Sequence, residues 1–165
     1  MMLDAKILSP EALASASAAL RRAGKKLVFT NGCFDLLHRG HVCYLQAARQ
    51  LGDALAVGIN GDDSVRAQKG TGRPVNREAD RAAVIAALAS VDFVVVFPEV
   101  RATKLLEQAR PAIYAKGGDY TLETLDAEER AALAELGAEI HLIPFEAGYS
   151  TTTLIERLRA SELKP

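Results

Sequence analysis

The 165-residue sequence has no tryptophan, only two cysteines and no excess of charge of either sign. Its 20 Lys and Arg residues against 21 Asp and Glu residues leave a formal net charge of −1. This excludes a whole-molecule field that would attract nucleic acid or an anionic membrane. Cys33 and Cys43 are too few for a disulfide framework, and no secretory signal is present, so we expect a cytoplasmic protein. No segment reaches the roughly 18–20 apolar residues that a membrane span needs.

Strand and helix patterns alternate along a chain whose length fits about one domain of roughly 100–200 residues. We predict helices over 10–23, 40–52, 64–69, 77–89, 101–110, 126–136 and 151–159, and strands over 25–30, 54–60, 92–97, 112–116 and 139–143. Asn76 is the predicted cap of the helix that ends at Ala89. This order predicts an α/β fold with a Rossmann-like, doubly wound five-stranded parallel sheet in a single domain. A helical extension (1–24) precedes the domain (25–160), and a short tail (161–165) follows it.

Two histidines flank a glycine where the loop after the first strand enters a helix. Ligands of doubly wound sheets bind beyond the carboxyl ends of the strands, so this loop is the first candidate for chemistry. His38 and His41 are three residues apart, so both rings can point the same way. A helix N-terminus presents unpaired N–H groups and a positive dipole end, and Gly40 lets a phosphate approach the backbone. The segment therefore predicts a phosphate-binding pocket with two imidazole donors.

Two other interpretations of these histidines are weaker. Histidines at i and i+3 occur by chance on helices, although the position between strand and helix favours the pocket. A zinc site would combine Cys33, His38, His41 and Cys43, but this spacing fits no usual zinc pattern. Cys43 also lies about 200° around the helix from His41. We expect Cys43 to be a small buried residue and no metal to be held by protein side chains alone.

The segment Gly32-x-Phe34-Asp35-x-x-His38-x-Gly40-His41 resembles the signature of the nucleotidylyltransferase superfamily. Its members join a nucleoside monophosphate to a phosphorylated acceptor and release pyrophosphate. The resemblance covers about residues 25–158, and four further loops match: Lys69–Asn76, Asp80-Arg81, Lys116–Tyr120 and Gly148–Thr152. Within the superfamily, these loops are most similar to those of adenylyltransferases that act on a heptose 1-phosphate.

The resemblance implies transfer of AMP from ATP to D-glycero-β-D-manno-heptose 1-phosphate, giving ADP-heptose for lipopolysaccharide biosynthesis. Residues 25–160 would then be the nucleotidylyltransferase domain. Mg²⁺ would accompany ATP and be held mainly by its phosphates. The implied partners are the two small-molecule substrates and further copies of the chain in a homo-oligomer, without nucleic acid or membrane.

The resemblance also implies three groups of site residues. The catalytic group is His38, His41 and Lys69, which would stabilise charge on the phosphates rather than act as bases. The nucleotide-binding group is Thr30, Asn31, Gly32, Phe34, Gly40, His41, Lys116, Gly117, Asp119, Ser150, Thr151 and Thr152. The acceptor-binding group is Asp35 and Arg81.

Each assignment in the outer loops has a simpler structural alternative. Ser150 is a plausible plain N-cap, and Lys69 a solvated surface lysine. Arg81 can form a helix-surface pair with Glu78. Asp35 can brace its own loop rather than contact acceptor or metal. The glycines after the fourth strand can form a bare turn.

The chain departs from related cytidylyltransferases at Phe145, where those enzymes carry an arginine ahead of the Ser-Thr-Thr segment. This departure favours ATP and weakens the alternative of a cytidylyltransferase acting on glycerol 3-phosphate or another polyol phosphate. A non-catalytic nucleotide-binding module is the third interpretation, and the presence of both histidines argues against it. His141 has no motif around it and is expected to be structural.

Overall fold

Five strands and seven helices follow one another in the part of the chain that the structure describes. The computed structural model describes residues 5–118, 120–144 and 148–162. The strands are β1 (Leu27–Gly32), β2 (Ala54–Asn60), β3 (Phe93–Phe97), β4 (Ile113–Gly117) and β5 (Glu139–Ile143). The helices are α1 (Pro10–Arg22), α2 (Arg39–Arg49), α3 (Asp62–Lys69), α4 (Glu78–Ala86), α5 (Thr103–Ala109), α6 (Ala127–Leu136) and α7 (Thr151–Glu162). None of the described helices is long and apolar enough to cross a bilayer.

The strands form one parallel sheet in the order β3-β2-β1-β4-β5. The chain builds outward from β1 to β3 on one side and then returns to place β4 and β5 on the other. The order therefore reverses between β1 and β4, and ligands of open α/β sheets bind at such a switch point. The predicted Rossmann-like, doubly wound sheet is confirmed.

Side chains of the central strands alternate between two faces, and helices cover both. Leu27 and Phe29 of β1 pack with Leu13 of α1 on one face. Val28, between them in sequence, packs with Leu45 of α2 on the other. Burial on both faces explains why the strands lack the polar alternation of a half-exposed sheet.

The residues before α1 extend the outer edge of the sheet. Ile7 forms a parallel bridge with Val94 of β3, and the Val94 N–H donates to the Lys6 carbonyl at 2.8 Å. The Lys6 ammonium group donates to the carbonyl of Val91 at 2.7 Å. The predicted extension therefore packs on the same sheet as the rest of the chain, and its boundary at residue 24 stays a prediction.

The start of α4 differs from the prediction. The N-cap is Arg77 rather than Asn76, and the helix ends at Ala86 rather than Ala89. The Asn76 amide instead donates to the Asp35 carbonyl at 2.8 Å. Asparagine favours local capping of a helix, but the Asn76 side chain instead bonds to Asp35, which lies 41 positions earlier in the sequence.

Candidate active site

A cavity of about 650 Å³ opens at the carboxyl ends of β1, β2 and β4, beside the switch point. Its volume is in the range of small-molecule sites. Ten of the predicted site residues line it: Asn31, Gly32, Phe34, Asp35, His41, Lys69, Lys116, Gly117, Thr151 and Thr152. The cavity lining does not include Thr30, His38, Gly40, Arg81 or Ser150. Asp119 and Phe145 lie outside the described residues.

The two motif histidines stack on each other at the N-terminus of α2. Their ring centroids are 3.9 Å apart, with an angle of 27° between the ring planes. The backbone N–H of His38 donates to Nδ1 of His41 at 3.4 Å. A ring nitrogen that accepts cannot carry the proton, so this contact favours the tautomer in which Nε2 of His41 is the donor. His41 lines the cavity, and His38 lies behind it as its stacking partner.

Burial keeps both imidazoles neutral near pH 7. Burial, together with a smaller contribution from charge repulsion by the neighbouring His38, lowers the pKa of His41 to about 4. Burial also lowers the pKa of His38. His41, which lines the cavity, therefore offers a neutral N–H donor rather than a positive charge to an incoming anion.

Gly40 makes room for the histidine pair. A Cβ at this position would lie 3.1 Å from the His38 ring and 3.1 Å from Cβ of Tyr149. Contacts this short require a neighbour to move. Because Gly40 has no side chain, His38 and Tyr149 can pack closely against its backbone, where the N-termini of α2 and α7 meet.

Asp35 holds the glycine-containing loop in place. Its carboxylate accepts hydrogen bonds from the backbone N–H of Val75 at 2.8 Å and of Asn76 at 2.9 Å. It also pairs with Nε of Arg73 at 2.6 Å. Burial alone would raise the pKa of the Asp35 carboxyl, but the backbone donors and the Arg73 guanidinium hold it below its usual value. Both carboxylate oxygens are engaged, which favours the bracing alternative over direct contact with acceptor or metal.

Arg81 lies beneath the site and is only 1% exposed. Its Nη2 donates to the Asn60 carbonyl and to the Asp62 carboxylate, both at 2.8 Å. Its Nε donates to the Asn76 carbonyl at 3.1 Å, and its Nη1 donates to the Cys33 carbonyl. One guanidinium thus ties together the ends of β1 and β2 and the loop before α4.

This geometry corrects the prediction that Arg81 binds the acceptor phosphate. The side chain is buried and its donors are directed at protein oxygens, so it has no path to a ligand in the cavity. The helix-surface alternative is also wrong, because Glu78 accepts the backbone N–H of Asp62 at 2.8 Å instead. The local sequence could not show that the Arg81 side chain points toward the sheet, because its direction depends on how α4 packs on the sheet.

The structure also differs from the prediction that the Thr30 side chain contacts the nucleotide. This side chain is fully buried, and its hydroxyl lies 2.6 Å from that of Tyr44, so it does not reach a nucleotide. The Tyr44 hydroxyl in turn donates to the Ala115 carbonyl at 3.0 Å. A Cβ at Gly117 would lie 2.7 Å from the same tyrosine ring. Thr30 and Gly117 therefore fix the position of the Tyr44 ring, which lines the cavity.

Lys116 projects from the end of β4 into the cavity wall. Its ammonium group donates to the Tyr114 hydroxyl at 3.1 Å and to the Asn31 side-chain carbonyl at 3.3 Å. Burial lowers the pKa of Lys116, while Glu129 opposes this effect by stabilising the charged form. The Glu129 carboxylate accepts from the Tyr114 hydroxyl at 3.1 Å.

Sequence reasoning missed Tyr114 and Glu129. A tyrosine two residues before Lys116 in a largely apolar strand was the only local signal for Tyr114. Glu129 sits in the first turn of α6, where acidic residues are ordinary, so nothing in its neighbourhood marks it as part of a site.

The N-terminus of α7 meets the cavity from the other side. Thr151 and Thr152 line it. The Ser150 hydroxyl accepts the backbone N–H of Thr153 at 3.0 Å, so Ser150 acts as the N-cap of the helix. The first turns of α2 and α7 thus present backbone N–H groups near one cavity, an arrangement suited to phosphate groups.

Lys69 is the last residue of α3 and is exposed at the rim of the cavity. Two other cations of the lining are paired with carboxylates: Arg73 with Asp35, and Arg101 with Asp126 at 2.6 Å. Within the described residues, Lys69 makes no ion pair of this kind. It is therefore available to an anion that enters the cavity.

Comparison with known sequences identifies the family. The Cytidylyltransferase-like family matches residues 29–157. The chain is 50% identical over 161 residues to the bifunctional protein HldE of Geotalea uraniireducens, covering 98% of this chain and 32% of that protein. It is 47% identical over 155 residues to HldE of Geobacter sulfurreducens, covering 94% of this chain and 31% of that protein. The chain thus spans about a third of the length of these relatives.

Solved structures share the fold. The crystal structure of the lipopolysaccharide core biosynthesis protein from Thermoplasma volcanium aligns with a TM-score of 0.62 and 30% identity, covering 74% of this chain and 98% of that one. Pantothenate synthetase from Thermus thermophilus aligns with a TM-score of 0.57 and 19% identity, covering 84% and 61%, which shows a common fold only. The family match over residues 29–157 and the identity of about half to the HldE proteins show that the chain belongs to the cytidylyltransferase-like family.

Proposed function

We propose that the protein transfers AMP from ATP to D-glycero-β-D-manno-heptose 1-phosphate and releases pyrophosphate. The observation that carries this proposal is the stacked His38–His41 pair at the N-terminus of α2, with His41 facing a cavity that also meets the N-terminus of α7. Two helix N-termini and an imidazole donor suit a polyphosphate. The HldE relatives and the lipopolysaccharide core biosynthesis protein support the sugar-phosphate acceptor.

In the proposed reaction, an acceptor phosphate oxygen forms a bond to the α-phosphorus of ATP. The bond from that phosphorus to the bridging oxygen breaks in line, and pyrophosphate leaves with the bonding electrons. No protein nucleophile is required, so catalysis depends on positioning and on stabilising the charge that develops on the phosphate oxygens.

His41 would donate its Nε2 proton in a hydrogen bond to an oxygen at the α- or β-phosphate. Because its imidazole is neutral near pH 7, the donor does not repel a second cation in the cavity. His38 would set the position of the His41 ring by stacking, which changes its expected role from a direct donor to a supporting one. Thr151 and Thr152 would bind the β- and γ-phosphates, with Ser150 ordering the helix start.

The remaining cavity residues would hold the two substrates around the reacting phosphorus. Asn31, Gly32, Phe34, Lys116 and Gly117 lie at the ends of β1 and β4 and would contact the nucleotide. Lys69 would close over the phosphates from the opposite rim. Asp119 remains a predicted nucleotide contact. Asp35 would act indirectly by ordering the loop that carries Arg73.

Enzymes of this kind generally use a divalent metal with ATP, and we propose Mg²⁺. Mg²⁺ is usually held by one or two carboxylates together with substrate phosphates. The cavity carboxylates of Asp35, Asp126 and Glu129 all accept hydrogen bonds from the protein. These residues therefore fit a metal that is held chiefly by the phosphates, where it would neutralise part of their charge.

A cytidylyltransferase acting on glycerol 3-phosphate or another polyol phosphate is the second candidate. The family description, Cytidylyltransferase-like, favours it. Cytoplasmic location and self-association remain proposals as well.

The direct test is pyrophosphate release measured with ATP and CTP against a panel of sugar and polyol phosphates. We expect turnover with ATP and the heptose 1-phosphate. Activity with CTP and a polyol phosphate alone would replace the first candidate by the second, and no turnover with any pair would contradict both.

The role of His41 is tested by His41→Ala. Loss of one preorganised donor is expected to lower turnover by about 10²–10³-fold. His141→Ala is the matched control, because His141 lies on β5 and pairs with Glu139 at 3.3 Å. Equal rates for His41→Ala and the control would contradict the proposed donor.

A further inference from the structure

A buried carboxylate lies behind the lysine of the cavity wall. Glu129 of α6 is 5% exposed and Tyr114 of β4 is fully buried. One carboxylate oxygen of Glu129 accepts the backbone N–H of Ala102 at 2.8 Å, and the other accepts from the Tyr114 hydroxyl at 3.1 Å. The first contact fixes the carboxylate against the start of α5. The second directs its charge toward the floor of the cavity.

The Tyr114 hydroxyl is a junction between this carboxylate and two cavity groups. Its oxygen lies 2.7 Å from the side-chain carbonyl oxygen of Asn31 and accepts a hydrogen bond from the Lys116 ammonium group at 3.1 Å. The hydroxyl has one proton, so it donates to Asn31 or to Glu129 at a given moment. Burial raises the pKa of Tyr114 well above its usual value, so the phenol keeps that proton.

Lys116 and Glu129 interact through this hydroxyl at short range. Both hydroxyl contacts are 3.1 Å, so the ammonium and carboxylate groups lie within about 6 Å of each other. At that separation in a partly buried site, an opposite charge stabilises the protonated lysine. Within residues 5–118, 120–144 and 148–162, two of the three ammonium N–H donors contact Asn31 and Tyr114, and the third can reach a ligand oxygen in the cavity.

We propose that Glu129 is a positioning residue for nucleotide binding, which acts through Tyr114 to keep Lys116 charged and to hold Lys116 and Asn31 at the cavity wall. The proposal rests on the proposed function in one respect: the anion that Lys116 binds would be a phosphate of the nucleotide. Glu129 lines the cavity, but each of its oxygens already accepts a hydrogen bond from the protein, so the proposal requires no contact between Glu129 and the substrate.

Other groups near Lys116 contribute less directly. Asp126, at the N-cap of α6, is paired with Arg101 at 2.6 Å. The Cys33 thiol comes from the loop after β1, and burial raises its pKa, so it is neutral near pH 7. The Tyr120 ring lies 5.3 Å from the lysine nitrogen and interacts with it through its π-face. Glu129 is therefore the charged partner whose removal should change Lys116 most.

The test replaces Glu129 by glutamine, which keeps an oxygen for the Ala102 N–H but removes the charge. NMR of the labelled lysine side chains follows the titration of Lys116 in the full chain without substrate. We expect the pKa of Lys116 to fall in Glu129→Gln, because the carboxylate that stabilises the charged form is removed. Glu135→Gln is the control, because Glu135 is exposed and lies further along the same helix, and it should leave the titration unchanged.

Kinetics supply the second measurement. In Glu129→Gln we expect the KM for the nucleotide to rise about tenfold with a smaller change in kcat. The basic limb of the kcat/KM profile should move to lower pH, since this limb reports the free enzyme. A merely structural glutamate would lower the amount of folded protein without moving either pH profile.

Tyr114→Phe is a second variant that tests the proposal even if Glu129→Gln does not fold. It keeps the ring and the Glu129 charge but removes the junction hydroxyl, so the KM should rise while the Lys116 titration moves less than in Glu129→Gln. An unchanged Lys116 titration in Glu129→Gln, or an unchanged nucleotide KM in both variants, would overturn the proposal. Absence of turnover in the wild type would contradict the proposed function instead, and the NMR titration would still decide the role of Glu129.

Discussion

Replacing Arg81 by methionine tests whether this residue supports the fold or binds the acceptor. Methionine keeps an unbranched stem of similar length but removes the guanidinium. The Asp62 carboxylate and the carbonyls of Cys33, Asn60 and Asn76 would then lose their donor. Breaking a buried ion pair by removing one partner costs about 3–5 kcal/mol. Asp62 is 27% exposed and can recover some hydration, so we expect the lower half of this range.

The assay is urea denaturation followed by circular dichroism. With a slope of about 2 kcal/mol per molar urea, a loss of about 3–4 kcal/mol moves the midpoint down by about 1.5–2 M. Arg77→Met is the control, because Arg77 is exposed at the N-cap of the same helix, and its midpoint should move by less than about 0.3 M. Arg81→Lys should fall between the two, since one ammonium group cannot reach oxygens on three segments.

Kinetics distinguish the two roles of Arg81. A structural residue lowers stability, and enzyme that remains folded at low temperature should bind acceptor with a KM within about threefold of the wild type. The reasoning would be refuted if Arg81→Met unfolds at the same urea concentration as the control while the acceptor KM rises strongly. That result would restore the acceptor contact that the sequence predicted.

Two further predictions concern His41 and Gly117. Unfolded His41 titrates near pH 6.5 and folded His41 at about 4, so the unfolded state binds the proton more readily and protonation favours unfolding. Its contribution to stability, about 3 kcal/mol, is complete above pH 6.5 and is lost as the pH falls toward 4. Urea midpoints of His41→Gln should therefore fall less over this interval than those of the wild type, and parallel falls would contradict the assignment. Gly117→Ala places a Cβ 2.7 Å from the Tyr44 ring, which is held by two hydrogen bonds and cannot move freely. This should cost about 1–3 kcal/mol in the same assay, and an unchanged midpoint would show that the ring yields.

The elements of the fold could be predicted because their signals are local. The alternation of apolar segments located all five strands, with β2 and β5 matching at both ends. Ser9 and Asp126 cap α1 and α6 through bonds to residues within three positions. Parallel order followed from the lack of polar alternation, which is a property of each strand by itself. The position of the crevice then followed from topology.

The histidine pair was also predictable, because its geometry is set within one helical turn. His38 and His41 are three residues apart, and that spacing predicted that the two rings lie close together, whereas their stacking is seen only in the structure. The ten predicted residues that line the cavity were found because they follow strands or precede helices at the one edge where a parallel sheet binds ligands. Which of the two rings faces the cavity was not predictable, because the choice depends on how α7 packs beside α2.

Only the tertiary structure decided which polar side chains face the cavity and which support it from behind. Arg81, Thr30 and Asp35 have the chemistry of ligand contacts, yet each is buried against oxygens or N–H groups that come from other segments. Glu129 looks like an ordinary helix residue and lies beside Lys116 only because α6 packs against the end of β4. The sequence determines local conformation through backbone and periodicity, whereas a buried polar group takes whichever partner the packed fold brings within about 3 Å, because leaving it unpaired is costly.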